Sequence, residues 1–196
     1  MAVVWPRFFI ATEGTINAVI LIMEKKPLYT IGHGNRKSPD FLALLKEYGI
    51  EYLVDVRSVP HSRFHPQFNR NALESFLAEH DIRYVFMGDE LGGRPKDVSC
   101  YDKDGKIDYE ILKTKDFFKN GIERLKTAYN KDINLAIMCS ERNPCECHRS
   151  KLIGQVLVAD NIIVHHIDEQ GKIKDHATVI NEINKGQLPM DLFGKK

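Results

Sequence analysis

With 196 residues, 43% of them hydrophobic, the chain fits one domain that can bury a core without disulfides or a structural metal. Its 28 Lys and Arg against 27 Asp and Glu leave a formal charge of +1, which excludes a global field that would draw it onto nucleic acid or an anionic membrane. Any anion site must therefore be local.

Residues 16–23 form the long apolar run of the chain. A bilayer span needs roughly 20 apolar residues, and the run lacks the basic start and small-residue cleavage site of a secretory signal, so no membrane partner is expected. Met23 offers a second start just before the first clear strand. Residues 1–26 accordingly read as an N-terminal extension, a start-site artefact, with an added edge strand as the alternative. Residues 28–31 are β-prone and end at Gly32. Ser38 and Pro39 predict an N-cap and a first-turn proline, and the stripe Phe41, Leu44, Leu45, Tyr48 predicts a helix closed by Gly49. Residues 52–56 are a compact apolar run holding Asp55, a strand buried on both faces. A polar loop with His61, Arg63, His65 and Arg70 leads to a second helix marked by Leu73, Phe76 and Leu77. Residues 82–86 predict the third strand and residues 88–94 a glycine-bearing loop. Ile111, Phe118, Ile122, Leu125 and Tyr129 predict one helix, in which Gly121 is the weak point. Residues 133–138, 144–159 and 162–167 read as strand, helix and strand.

This alternation predicts right-handed crossovers and an α/β fold: a three-layer α/β/α sandwich with a mainly parallel sheet of about five strands. It would occupy residues 27–180 as a single domain, followed by a tail over 181–196. Ligands of such sheets bind outside the carboxyl ends of the strands. The residues that follow the predicted strands are His33, Arg57, Glu90 with Arg94, and Cys139 with Glu141.

Three of the four cysteines, Cys139, Cys145 and Cys147, fall within nine residues, with Cys100 apart. That is unlike a distributed disulfide framework and points to a reducing cytoplasm. The segment 139–149 reads Cys-Ser-Glu-Arg-Asn-Pro-Cys-Glu-Cys-His-Arg. Asn143, Pro144 and Glu146 suit an N-cap, a first helical residue and a capping box. A helix start there would aim N–H groups at the site, bind anions and lower a thiol pKa. Cys139, Cys145 and Cys147 are thus candidate thiolates, each otherwise a small buried hydrophobe. Glu141 and His148 join them as candidate catalytic groups. Cys139, Cys145, Cys147 and His148 are also zinc-ligand types. Consecutive helical residues diverge by about 100°, so Cys147 and His148 are not expected to share one ion, and neither metal nor cofactor is expected. A Cys-x₅-Arg phosphatase loop is absent, because Cys145 stands six after Cys139.

Arg57, Arg63, Arg94 and Arg149 are candidate clamps for phosphate or carboxylate, with Asp55 orienting Arg57. His33, between Gly32 and Gly34, sits where backbone approaches a ligand closely and is a candidate proton carrier. His165 and His166 alternate across a strand and read as packing or rim residues.

Thr30-Ile31-Gly32-His33, Leu53-Val54-Asp55-Val56-Arg57-Ser58 with Pro60 and Ser62-Arg63, Leu91-Gly92-Gly93, and Cys139-x-Glu141-x-x-Pro144-x-x-Cys147-His148-Arg149 together resemble the bacterial and archaeal family catalogued as domain of unknown function 488. The likeness covers about residues 28–168. It implies an α/β sandwich with a shared site, brings Ser58, Gly92 and Gly93 into the ligand-binding set, and carries no reaction with it. Gly34 stands where the family has serine, and Cys145 at a variable position. The Leu53–Arg57 strand is also similar to one in rhodanese-type sulfurtransferases. The tail segment 187–193, Gln-Leu-Pro-Met-Asp-Leu-Phe, is similar to peptides that dock on the bacterial sliding clamp.

The leading expectation is an enzyme acting on a phosphate-bearing ligand, a nucleotide or nucleic-acid end, with arginines holding the anion and His33, Glu141 or a cysteine moving protons or attacking. The rivals are a non-catalytic nucleic-acid-binding module and a cysteine-dependent thiol or sulfur-transfer enzyme.

Overall fold

A computed structural model describes residues 25–185; the apolar run at 16–23 and the clamp-like tail segment lie outside them. β1 (Leu28–Gly32), β2 (Tyr52–Asp55), β3 (Arg83–Phe86), β4 (Leu135–Cys139), β5 (Val164–Ile167) and β6 (Ile173–Asp175) form one sheet in the order β3-β2-β4-β1-β5-β6. All pairings are parallel except β5 with β6. The expected sheet is therefore present with one addition, the three-residue antiparallel edge strand, too short and too polar to be seen in the sequence.

Every residue of β4 is buried, and strand pleating sorts its side chains into two cores. Leu135, Ile137 and Cys139 pack with Val54, Val56, Phe118, Leu125 and Leu152 on one face. Ala136 and Met138 pack with Ile31, Leu53, Phe41, Leu45, Leu73 and Leu77 on the other. These two layers of helix enclose the sheet, making the α/β/α sandwich. The same parity has a functional result: Cys139 leaves the sheet towards one layer, while Asp55 alternates with Val54 and Val56 towards the other.

Helices α1 (Ser38–Glu47) and α2 (Arg70–Ala78) cover the second face. The α1 cap is Lys37 in extended conformation, without a side-chain hydrogen bond, so Ser38 is the first helical residue rather than the cap. Gly49 takes φ 63°, the left-handed turn that ends the helix. The segment after β3 is a short helix, α3 (Gly88–Leu91), where a plain loop is expected from the glycines. The single long helix expected next is two, α4 (Tyr109–Thr114) and α5 (Asp116–Asn130), broken by extended Lys115. Gly121 is not a weak point of α5: a Cβ there would lie 2.7 Å from Leu91 Cγ, so its smallness lets α3 pack on α5. The expected helix 144–159 is a 3₁₀ turn (Pro144–Glu146), an extended Cys147, a π-helical turn (Arg149–Gly154) and only then α6 (Gln155–Ala159). After β6 comes α7 (His176–Ile183). No helix among the described residues is long and apolar enough to cross a membrane.

Candidate functional site

The strand ends converge. His33 N donates to Cys139 O (3.0 Å), Gly34 N to Ser140 O (3.0 Å) and Val56 N to Met138 O (3.0 Å), which carries the sheet's ladder beyond the regular strands. Gly32 has no room for a side chain, since a Cβ would sit 1.9 Å from the Glu141 carbonyl oxygen. Over this edge lie two chambers of about 330 and 290 Å³. Arg57, Val59 and Ser140 line both, so they adjoin.

Four side chains meet beside the larger chamber, three of them, Cys139, Glu141 and His148, lining it and Cys147 buried behind. Cys139 Sγ lies 2.9 Å and Cys147 Sγ 3.1 Å from Glu141 Oε2, and His148 Nδ1 lies 3.6 and 3.8 Å from the two sulfurs. The donor atoms of all four fall within 4.8 Å of one another. The convergence depends on the break in the expected helix. Cys147 has φ −110° and ψ 145°, so the residues before and after it do not follow helical divergence, and the angular argument against a shared ion does not apply. Asn143 caps as expected, its side chain accepting from Cys145 N at 2.9 Å, but it caps the 3₁₀ turn.

Charge within this cluster is shared. The hydrogen bond from Cys147 and the imidazole of His148 bring the Cys139 thiol down to about 5 against burial. Burial, and donation to Cys139, push Cys147 up. Burial raises Glu141, yet its contacts with the two sulfurs outweigh it and hold the carboxyl at about 2. Burial works against a charged His148, and the Cys139 contact overcomes it to raise the imidazole.

On the opposite face of the sheet edge Arg57 is held fast. Its Nε donates to Asp55 Oδ1 at 2.9 Å, Nη2 to Asp55 Oδ2 at 2.5 Å and to Phe68 O at 2.8 Å, and Nη1 to His33 Nε2 at 3.1 Å. Tyr84 OH donates to the same carboxylate at 2.7 Å. His33 Nδ1 lies 2.9 Å from Gly34 O, and its ring stacks on Phe68 with centroids 4.4 Å apart. One ring nitrogen donates and the other accepts, which fixes a neutral tautomer. Burial and the Arg57 charge agree with this, lowering His33 to about 4.

The predicted ligand-binding set divides accordingly. Ser58, Gly93 and Arg94 line the larger chamber together with Arg57. Ser58 Oγ accepts from Arg94 N at 2.8 Å. Gly93 must be glycine, because a Cβ would lie 2.9 Å from the His148 ring. Gly92 is a packing position, where a Cβ would meet Gly88 O at 2.3 Å. Arg149 is fully buried and donates to the carbonyls of Glu141 and Arg142, so it holds the loop and does not reach the chamber. Arg63 is exposed on the loop after β2 and lines neither chamber. Glu90 pairs with Arg124 at 2.5 Å, away from the site. Cys145 turns to Glu182 at 3.3 Å and is not in the cluster. Tyr109, Val59 and Glu146 line the larger chamber without having been expected there. Glu146 lay inside the motif, whereas Tyr109 at the start of α4 had no local signal.

The family described as Domain of unknown function DUF488 matches residues 37–156, more than half of the 196-residue chain. The chain belongs to this family. The DUF488 match includes Arg57, the 92–94 glycine loop and all four clustered residues, and begins after β1 and His33. Comparison with curated proteins and with solved structures found no match.

Proposed function

We propose that the protein is an enzyme acting on a nucleotide or nucleic-acid end at the carboxyl edge of its sheet, with Cys139, Glu141, Cys147 and His148 as the reacting centre. The observation that carries this reading is the convergence of those four groups beside a chamber that Cys139, Glu141 and His148 line together with Ser58 and Arg94. Structural ion pairs do not require access, whereas Cys139, Glu141 and His148 all border open space. A cavity of about 330 Å³ falls within the range of small-molecule sites. Recognition of the phosphate falls to Arg94, with Arg63 on the exposed loop after β2 as a second cation, because Arg57 and Arg149 are committed to Asp55 and to backbone carbonyls. Beside Arg63, Phe64 is 89% exposed, and an exposed aromatic ring next to an arginine suits stacking of a base.

A panel of nucleotides, phosphodiesters and short single strands, followed by product chromatography, tests the proposal. Turnover by the wild type and a loss of about 10²-fold or more in Glu141→Gln, with an unchanged far-ultraviolet spectrum, is expected for an acid–base group. Saturable, salt-sensitive binding without turnover of any member would sink the enzyme in favour of a binding module.

The contact of Cys139 Sγ with His148 Nδ1 favours a second reading, cysteine-dependent group transfer. In it Cys139 attacks and His148 handles the proton. A covalent adduct on Cys139 trapped by mass spectrometry would select it.

A further inference from the structure

We infer that Cys139, Cys147, His148 and Glu141 form a binding site for one divalent cation of the zinc class. Metal geometry is the first ground. Zinc–sulfur bonds of about 2.3 Å and zinc–nitrogen bonds of about 2.0–2.1 Å, at tetrahedral angles, require sulfur and nitrogen ligands about 3.6 Å apart. His148 Nδ1 stands 3.6 Å from one sulfur and 3.8 Å from the other. Both nitrogen–sulfur separations therefore suit a single shared ion, and all four ligand atoms lie within 4.8 Å of one another. Glu141 Oε2 is 2.9 and 3.1 Å from the sulfurs, closer than the about 3.5 Å of a tetrahedral sulfur–oxygen pair. It lies against the sulfurs and needs to draw back by about half an ångström to become the fourth ligand.

The chemistry of the donors is the second ground. Two buried thiols, an imidazole and a carboxylate form a mixed soft and borderline set, which suits zinc and disfavours magnesium or calcium. Metal binding forms two S–metal bonds and one N–metal bond, and any proton still held by either sulfur or by the imidazole passes to solvent, with no change of oxidation state. The divalent cation then offsets most of the negative charge that the two thiolates and Glu141 would otherwise place inside the protein.

Construction of the loop is the third ground. Arg149 N donates to Cys147 Sγ at 3.5 Å, an amide directed at the sulfur that becomes a thiolate on binding. The Arg149 side chain ties the Glu141 and Arg142 carbonyls to the segment carrying Cys147, so both halves of the ligand set are held in register. Cys139 comes from the end of β4 and the other sulfur from beyond the 3₁₀ turn, so the ion would join a central strand to the loop that covers it. Cys139, Glu141 and His148 also line the larger chamber. The ion thus lies where it can polarise a ligand or water, which is the link to the proposed enzyme.

Full-length protein, untagged and reduced, is reconstituted anaerobically with Zn²⁺ or Co²⁺, desalted and analysed by plasma mass spectrometry and absorption. One metal per chain and a thiolate-to-cobalt charge-transfer band are expected. Cys139→Ser and Cys147→Ser each lose the band and at least 10-fold in zinc affinity, Glu141→Gln keeps it with a changed cobalt spectrum, and Cys145→Ser behaves as wild type. Folded wild-type protein that retains no metal under these conditions overturns the site. So does an equal loss in Cys145→Ser and Cys147→Ser, and the wild-type measurement stands even where a variant fails to fold. Stoichiometric metal without turnover overturns only the enzyme, and turnover in a protein that retains no metal overturns only the site.

Discussion

Asp55 is fully buried, and the structure surrounds its carboxylate with Arg57 and Tyr84. A buried pair broken on one side leaves an uncompensated charge, so Asp55→Ala is expected to cost about 3–5 kcal/mol in urea denaturation at neutral pH. A loss below about 1 kcal/mol would mean that Arg57 escapes to solvent instead. Arg57→Lys keeps the charge but cannot bridge Asp55, Phe68 O and His33 together, and is expected to release His33 from its fixed tautomer. Imidazole nitrogen shifts in NMR would read that out. At this scale the sequence was partly legible. Arg57 follows Asp55, the last residue of β2, by two positions, so their contact was local. Phe68 and Tyr84 arrive from other segments, and nothing near Arg57 in sequence announces that its donors are already taken. The same holds for His33, whose flanking glycines suggested ligand approach; Gly32 in fact makes room for the Glu141 carbonyl.

Elements reproduced the expected order because strand and helix periodicities are strong, and they departed from it where a short turn competes with a helix. Residues 144–159 carry a capping residue, a proline and an apolar stripe, all favourable to one helix. Cys147 nevertheless takes an extended conformation, and the next turn is π-helical. The break puts both thiols on one carboxylate, a tertiary gain that local propensity cannot encode. Gly32 is the element-level test. Gly32→Ala places a methyl 1.9 Å from backbone rather than a flexible side chain, so β1 and the 139–142 turn must separate. A destabilisation of about 2 kcal/mol or more is expected, since overpacking against fixed atoms costs about 1–3 kcal/mol. Loss of the cobalt band should accompany it; a variant with wild-type stability would show that the contact is not tight.

Across the whole molecule, the buried chain Thr30 Oγ1–His166 Nδ1 (2.7 Å) and His166 Nε2–His176 Nδ1 (2.9 Å) ties β1 and β5 to α7. Burial, then the neighbouring His176, depresses His166 to about 3. The unfolded imidazole titrates near about 6.5, so below that pH the unfolded chain takes up a proton that the folded one refuses. The stability this neutral histidine contributes is complete above about pH 6.5 and declines towards pH 3, by on the order of 1.4 kcal/mol per pH unit. Denaturation midpoints at pH 7.5 and pH 5 should differ in that sense, and His166→Gln should flatten the slope; an unchanged slope would place the acid sensitivity elsewhere. The layered architecture was readable from alternation, whereas β6 and α7 were not, being three residues long in one case and beyond the last expected strand in the other.

The strand order has one practical outcome. β1 sits between β4 and β5, although it precedes residue 37, where the family match starts. A fragment trimmed to residues 37–156 would therefore lose β1 together with β5 and β6, half of the sheet, and leave β4 bare along one side. Such an open strand recruits other chains, so that fragment should precipitate on expression while residues 25–185 remain dispersed.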